Sequence, residues 1–113
     1  MDAEALVAGW LVAAGWTILD RRWRPPGGGE VDLVCRDARN VLVAVEVRAR
    51  QSRRAGTPAE SIDHRKVARL RSALSSYASA TRGHAALRID LVTVEPTADG
   101  HWRLTRHAAI DGW

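Results

Sequence analysis

Two runs separated by a short turn, Gly29-Glu30-Val31-Asp32-Leu33-Val34 and Val43-Ala44-Val45-Glu46-Val47-Arg48, carry acids where half-buried strands usually place apolar or neutral side chains. Strand side chains alternate, so Glu30 and Asp32 share one face of the first run, and Glu46 and Arg48 share one face of the second. The intervening Asp37-Ala38-Arg39-Asn40 reads as a three-residue hairpin loop closed by Asn40 in the left-handed region that asparagine tolerates. This register sets Asp37 opposite Val41, Asp32 opposite Glu46 and Glu30 opposite Arg48. Beta carbons at paired positions lie roughly 4.5 to 5.5 Å apart, and like charges there are destabilising. Two such carboxylates share a proton, borrow an arginine or bind a divalent cation. The alternate positions (Val31, Leu33 and Cys35; Val41, Val43, Val45 and Val47) are aliphatic, which predicts that they form the core side and fix the register.

The chemistry such a pair suits is phosphodiester hydrolysis. That reaction needs a nucleophilic water and a neutralised developing charge, and carboxylate-held Mg²⁺ or Mn²⁺ supplies both. Magnesium keeps several waters, so Asp32 and Glu46 suffice as metal ligands. Glu30 shares their face, with an ion pair to Arg48 as the competing role. A basic segment follows directly. Residues 48 to 71 hold eight cations (Arg48, Arg50, Arg53, Arg54, Arg65, Lys66, Arg69 and Arg71) against Glu60 and Asp63, a net of +6. The whole chain is +4, so the other residues, nine cations and eleven acids, sum to −2. A local patch of this kind points to a phosphate-bearing partner, the competing reading being arginines on solvated faces. Lys66 is the single lysine beside sixteen arginines. With Arg65 and Arg69 it crowds cations onto the first turns of a helix, where the dipole disfavours them and a bound anion would relieve them. A chance exposed lysine is the alternative.

The elements that must position these residues are legible in outline. Residues 3 to 14 are good helix formers apart from Gly9, with Gly15 as a stop, and nearly every face is apolar. Such a helix predicts cover on more than one side, by the sheet and by a second subunit. Trp16 to Arg24 reads as a strand ended by Pro25-Pro26-Gly27-Gly28-Gly29. The hairpin strands span 29 to 36 and 41 to 48, and Gln51 to Thr57 reads as a polar basic loop. Asp63 is the expected N-cap of a second helix, whose Val67, Leu70, Leu74, Tyr77 and Ala78 recur on one face, with Gly83 as its stop. Leu87 to Glu95 is an aliphatic strand ended by Pro96, and residues 102 to 109 offer a final strand. Trp10 and Trp16 read as core, and Trp23 as cover for the sheet edge.

Length and composition bound the rest. A chain of 113 residues predicts one domain over 1–113, with 46% hydrophobic and 27% charged residues as in ordinary folded proteins. The lone Cys35 excludes an internal disulfide and a cysteine metal site, and favours a cytoplasmic location. The apolar run from Ala5 to Trp16 is too short to span a bilayer and follows Asp2 and Glu4 rather than a basic flank, so no membrane association is expected. The four histidines show no ligand spacing, and Asp90 reads as a partner of Arg88 or a support of the sheet.

Helix, three-strand meander, helix and strand, with an acid on the second strand and Glu-x-basic on the third, resembles the αβββαβ core of restriction-endonuclease-like PD-(D/E)xK nucleases. That fold implies an α/β domain whose mixed central sheet is flanked by helices. More closely, Gly29-Glu30-Val31-Asp32-Leu33-Val34, Val45-Glu46-Val47-Arg48-Ala49-Arg50, Lys66 and Arg88-Ile89-Asp90-Leu91-Val92 resemble the YraN family of small bacterial proteins, over roughly residues 2 to 95. That family has been grouped with archaeal Holliday junction resolvases. The resemblance implies that Asp32 and Glu46 match the metal-binding acids, and that Glu4 matches an acid placed near that metal. Glu4 also suits the helix dipole as a plain first-turn acid. Arg48 stands where active nucleases usually have lysine, and arginine supplies charge but no proton.

The resulting expectation is a Mg²⁺- or Mn²⁺-dependent endonuclease acting on DNA, in particular branched DNA. Catalysis would rest on Glu4, Asp32, Glu46, Arg48 and Lys66. Arg50, Arg53, Arg54, Arg65, Lys66 and Arg69 would follow the nucleic-acid backbone. The alternative is a non-catalytic DNA- or RNA-binding scaffold that kept the fold. Cutting two strands takes two sites, so a homodimer accompanies the nuclease expectation.

Overall fold

The structure is a computed structural model that describes residues 1–50, 63–81 and 86–111. The order is α1 (Ala3–Ala13), β1 (Thr17–Trp23), β2 (Val31–Arg36), β3 (Leu42–Ala49), α2 (His64–Ala80), β4 (Leu87–Pro96) and β5 (Trp102–His107). The strands form one mixed sheet in sequence order. All neighbours are antiparallel except β3 and β4, which run parallel. A parallel pair cannot be joined by a hairpin, and α2 lies in the connection between them.

Local chemistry explains the boundaries. Asp2 caps α1 by accepting the Ala5 N–H at 3.1 Å, and Asp63 caps α2 by accepting the Arg65 N–H at 2.8 Å. Gly15 takes φ +91° just past α1, as its place after the helix anticipates. Asn40 closes the β2–β3 turn at φ 68°, with its N–H donated to the Asp37 carbonyl and the Asp37 N–H donated to the Val41 carbonyl. The expected pairing holds from Arg36↔Leu42 to Leu33↔Val45.

The burial of the hairpin differs from the expectation of one core side. Both faces of the sheet are covered. Leu33, Cys35, Val43, Val45, Val92 and Val94 pack with Val7 and Leu11 of α1. Val31, Val34, Leu42, Ala44 and Ile89 pack with Leu70, Ala73 and Leu74 of α2. The parallel β3–β4 junction brings α2 across the face that a free hairpin would leave to water. Glu46 is therefore buried, 4% exposed, rather than displayed.

The tryptophans also differ in part from the expectation of core packing. Trp10 is 39% exposed, because α1 turns Val7 and Leu11 to the sheet and leaves Trp10 and Val12 outward. Trp23 covers the β1 edge as anticipated, meeting Tyr77 edge-on at 5.1 Å between ring centroids. Among the described residues, no helix is long and apolar enough to cross a membrane. The helix stop expected at Gly83 lies outside the described residues, whereas Thr81 caps the described end of α2.

Candidate acidic site at the β2–β3 opening

The β2–β3 ladder stops at Leu33↔Val45, one step before the two acids. At that point the Asp32 carboxylate, rather than a backbone carbonyl, accepts the Val47 N–H at 2.9 Å. Asp32 thus reaches the residue next to Glu46. Burial pushes the Asp32 carboxyl from 3.8 up to about 6, the Val47 N–H opposes this, and the Glu46 and Glu4 charges raise it further. Lys66 acts in the opposite sense on the same group.

Glu46 is held from the helix above it. Lys66 of α2 places Nζ 2.5 Å from Glu46 Oε1, and Arg48 Nε lies 3.7 Å from the same oxygen. The other oxygen, Oε2, is buried with no hydrogen-bond partner among the described residues. Buried acceptors are nearly always paired, so an unpaired carboxylate oxygen beside a second carboxylate marks a place for a cation or a donor. The cations at the start of α2 were expected to attract an anion, and the anion that Lys66 meets is Glu46.

Glu4 lies on the α1 side of the opening. It accepts the Arg22 Nε–H at 2.8 Å and, with Met1, Asp2, Ala3, Arg22, Asp32, Val47 and Ala49, lines a cavity of about 530 Å³. Arg22 was not anticipated as a site residue. It occupies the register position facing Asp32, between Arg21↔Leu33 and Trp23↔Val31, and has φ 51°. Left-handed backbone is costly for an arginine, and nothing in the sequence around the Arg21-Arg22 pair announces it. Glu30 is not across from Arg48 as expected; its carboxylate lies 3.5 Å from Arg24 Nε at the exposed edge. Past Leu33 the two strands no longer pair, so Arg48 turns along its own strand to Glu46.

Among the expected backbone-tracking cations, Arg65 and Arg69 are exposed on α2, and Arg50 directly follows β3 with its N–H donated to the Val94 carbonyl. Arg53 and Arg54 lie outside the described residues. Also among the described residues, no three His, Cys, Asp or Glu side chains gather as a metal-holding group. The donor set is instead two neighbouring carboxylates with one unpaired oxygen, which fits a hard divalent ion that keeps most of its waters.

Comparison with known proteins places the chain. A UPF0102 protein of Anaeromyxobacter dehalogenans is 44% identical over 113 residues, covering 98% of this chain and 82% of its own length. One from Deinococcus radiodurans is 39% identical, covering 97% and 89%, and one from a Nocardioides species is 47% identical over 93 residues, covering 80% and 73%. The model of the uncharacterised protein family UPF0102 matches residues 3–94, from the first turn of α1 into β4, a stretch that includes Glu4, Asp32, Glu46 and Lys66. With this span matched and relatives that cover nearly the whole chain, the protein belongs to the UPF0102 family, the one that its hairpin acids and helix lysine resemble under the name YraN.

Proposed function

We propose that this protein binds DNA and hydrolyses its phosphodiesters with Mg²⁺ or Mn²⁺, using a restriction-endonuclease-like core. Asp32 and Glu46 would hold the metal, which when bound would supply a nucleophilic water and neutralise charge on phosphate. The observation that carries the reading is the buried, unpartnered Glu46 Oε2 next to an Asp32 whose carboxyl is pushed up to about 6. An acid whose charge is disfavoured by burial and by neighbouring carboxylates is poised for a cation. The element order and the parallel β3–β4 pair bridged by α2 support the fold reading.

The protein groups divide the remaining work. Val47 N–H fixes the Asp32 carboxylate, and Glu4, held by Arg22, adds negative charge to the same cavity. Arg48 and Lys66 stand beside the acids and would place positive charge against a scissile phosphate. Arg50, Arg65 and Arg69 extend this positive charge and would contact backbone phosphates.

A panel of duplex, single-stranded and four-way DNA with Mg²⁺ or Mn²⁺ tests the assignment. Asp32→Asn and Glu46→Gln are each expected to lower cleavage at least about 100-fold while the fold is retained. Cleavage that ignores both substitutions assigns the activity elsewhere. A second reading, a non-catalytic nucleic-acid-binding protein, is favoured by one observation: Lys66 and Arg48 already neutralise Glu46 Oε1. Binding that survives a chelator, with no cleavage under either metal, selects it.

A further inference from the structure

A second cavity lies at the other end of α1. It measures about 370 Å³ and is lined by Trp16, Asp37, Ala38, Arg39, Arg88 and Arg106. Two of these arginines, Arg88 and Arg106, are held by Asp90, which is fully buried and is not itself a lining residue. Asp90 accepts from Arg88 through both oxygens, at 2.8 and 3.0 Å, from Arg106 at 2.9 Å and from the Ala109 N–H at 3.0 Å. Asp37, on the turn, accepts the remaining terminal nitrogen of Arg88 at 2.8 Å. The Trp16 ring lies within cation–π range of both guanidiniums, 5.7 Å from that of Arg88 and 5.2 Å from that of Arg106.

The two arginines differ in what they have left to give. Arg88 commits Nε and both terminal nitrogens to carboxylates, three of its five N–H donors. Arg106 spends one terminal nitrogen on Asp90, and its side chain stays 37% exposed. Arg39 lines the cavity from the exposed turn, and its side chain makes no ion pair with any described residue. Counting Asp90 with the lining residues, three guanidiniums meet two carboxylates, a net +1, with unspent Arg106 N–H donors beside the Trp16 ring.

We propose that this cavity is a phosphate-binding site, in which Arg106 and Arg39 bond the phosphate oxygens and Asp90 and Trp16 hold Arg106 in place. Arginine suits phosphate because its planar fork presents parallel donors, and an anchored fork loses little entropy on binding. The source is either free phosphate or a phosphate of a nucleotide or nucleic acid. The site is separate from the acidic opening. The Asp32 cavity takes its lining from the first residues of α1 and this one from Trp16, and an 11-residue helix spans roughly 16 Å.

Trp16 emission reports occupancy directly, in the presence of a chelator and with no cleavage required. Inorganic phosphate, a 5′-mononucleotide and a short single-stranded DNA are titrated separately into the full chain, and Trp16→Phe identifies the Trp16 signal. Saturable change is expected with at least one probe, and Arg39→Gln/Arg106→Gln is expected to weaken it about tenfold or more with circular dichroism unchanged. Asp32→Asn, at the opposite end of α1, should leave it intact. Tighter binding of DNA than of phosphate makes the source nucleic acid, and equal binding makes it the free anion. No Trp16 response to any probe, or a response indifferent to the double substitution, overturns the site. The nuclease reading stands or falls separately on cleavage.

Discussion

Asp32 is where the chemistry of single residues is most exposed to test. Its carboxyl is pushed from 3.8 up to about 6, first by burial, so the folded state binds a proton more tightly than the unfolded state. For an acid with a raised value, stability is highest when the group is protonated in both states and falls as pH rises through the window from about 4 to about 6. Asp32→Asn keeps a carbonyl oxygen for the Val47 N–H and removes the charge. It is therefore expected to raise the melting temperature above pH 6, with the gain shrinking through the window and gone near pH 4; a gain that is constant with pH refutes burial strain as its cause. Glu46, unlike Asp32, is held by cationic partners. Lys66→Met leaves a buried carboxylate with only the more distant Arg48, and should cost about 1 to 3 kcal/mol in urea unfolding. Glu46→Gln in the same chain should recover part of that loss, a coupling that a double-mutant cycle measures.

At the scale of elements, the hairpin was the most legible part of the sequence, because two aliphatic alternations and an Asn-closed turn admit one register. Asn40 carries that register at φ 68°. Asn40→Gly should be neutral to slightly stabilising, and Asn40→Val should cost about 1 to 2 kcal/mol, read as a shift in the urea midpoint. Equal effects would mean that the turn conformation does not matter. What alternation could not reveal was which face would be buried. A period-two pattern distinguishes the faces of a strand but not whether a later helix returns over the polar one, and α2 does return, taking Glu46 out of water. Lys66 was singled out as a lone lysine, yet its contact with Glu46 is a long-range consequence of the β3–α2–β4 crossover. Trp10 was misplaced for a related reason. An all-apolar helix does not disclose which stripe meets the sheet when the sheet covers only one side. The Asp90 cluster had one sequence signal, an acid flanked by aliphatic residues in Arg88-Ile89-Asp90-Leu91-Val92, but its second arginine comes from β5, sixteen residues on.

Across the whole molecule, topology separates the two proposed sites. The sheet and α1 set the acids at one end and the Asp90 cavity at the other, with Arg48 and Lys66 beside the acids. The segment from 48 to 71 carries a net +6 against −2 elsewhere in the sequence, so the proposed binding to a polyanion would draw on that stretch more than on the rest of the chain. Neutralising a phosphate releases its condensed counterion, so affinity for duplex DNA falls with log salt at a slope of about 0.9 per contact. Arg65→Gln/Arg69→Gln removes two exposed cations from α2 without touching the acids. In a chelator, this double substitution is expected to weaken duplex binding at low salt and to flatten the slope by about 1.8. Substituting two exposed arginines outside the segment, Arg21 and Arg103, should change the slope by less. If both pairs act equally, attraction follows total charge rather than the α2 surface, and the nucleic acid does not run beside the acids that would cut it.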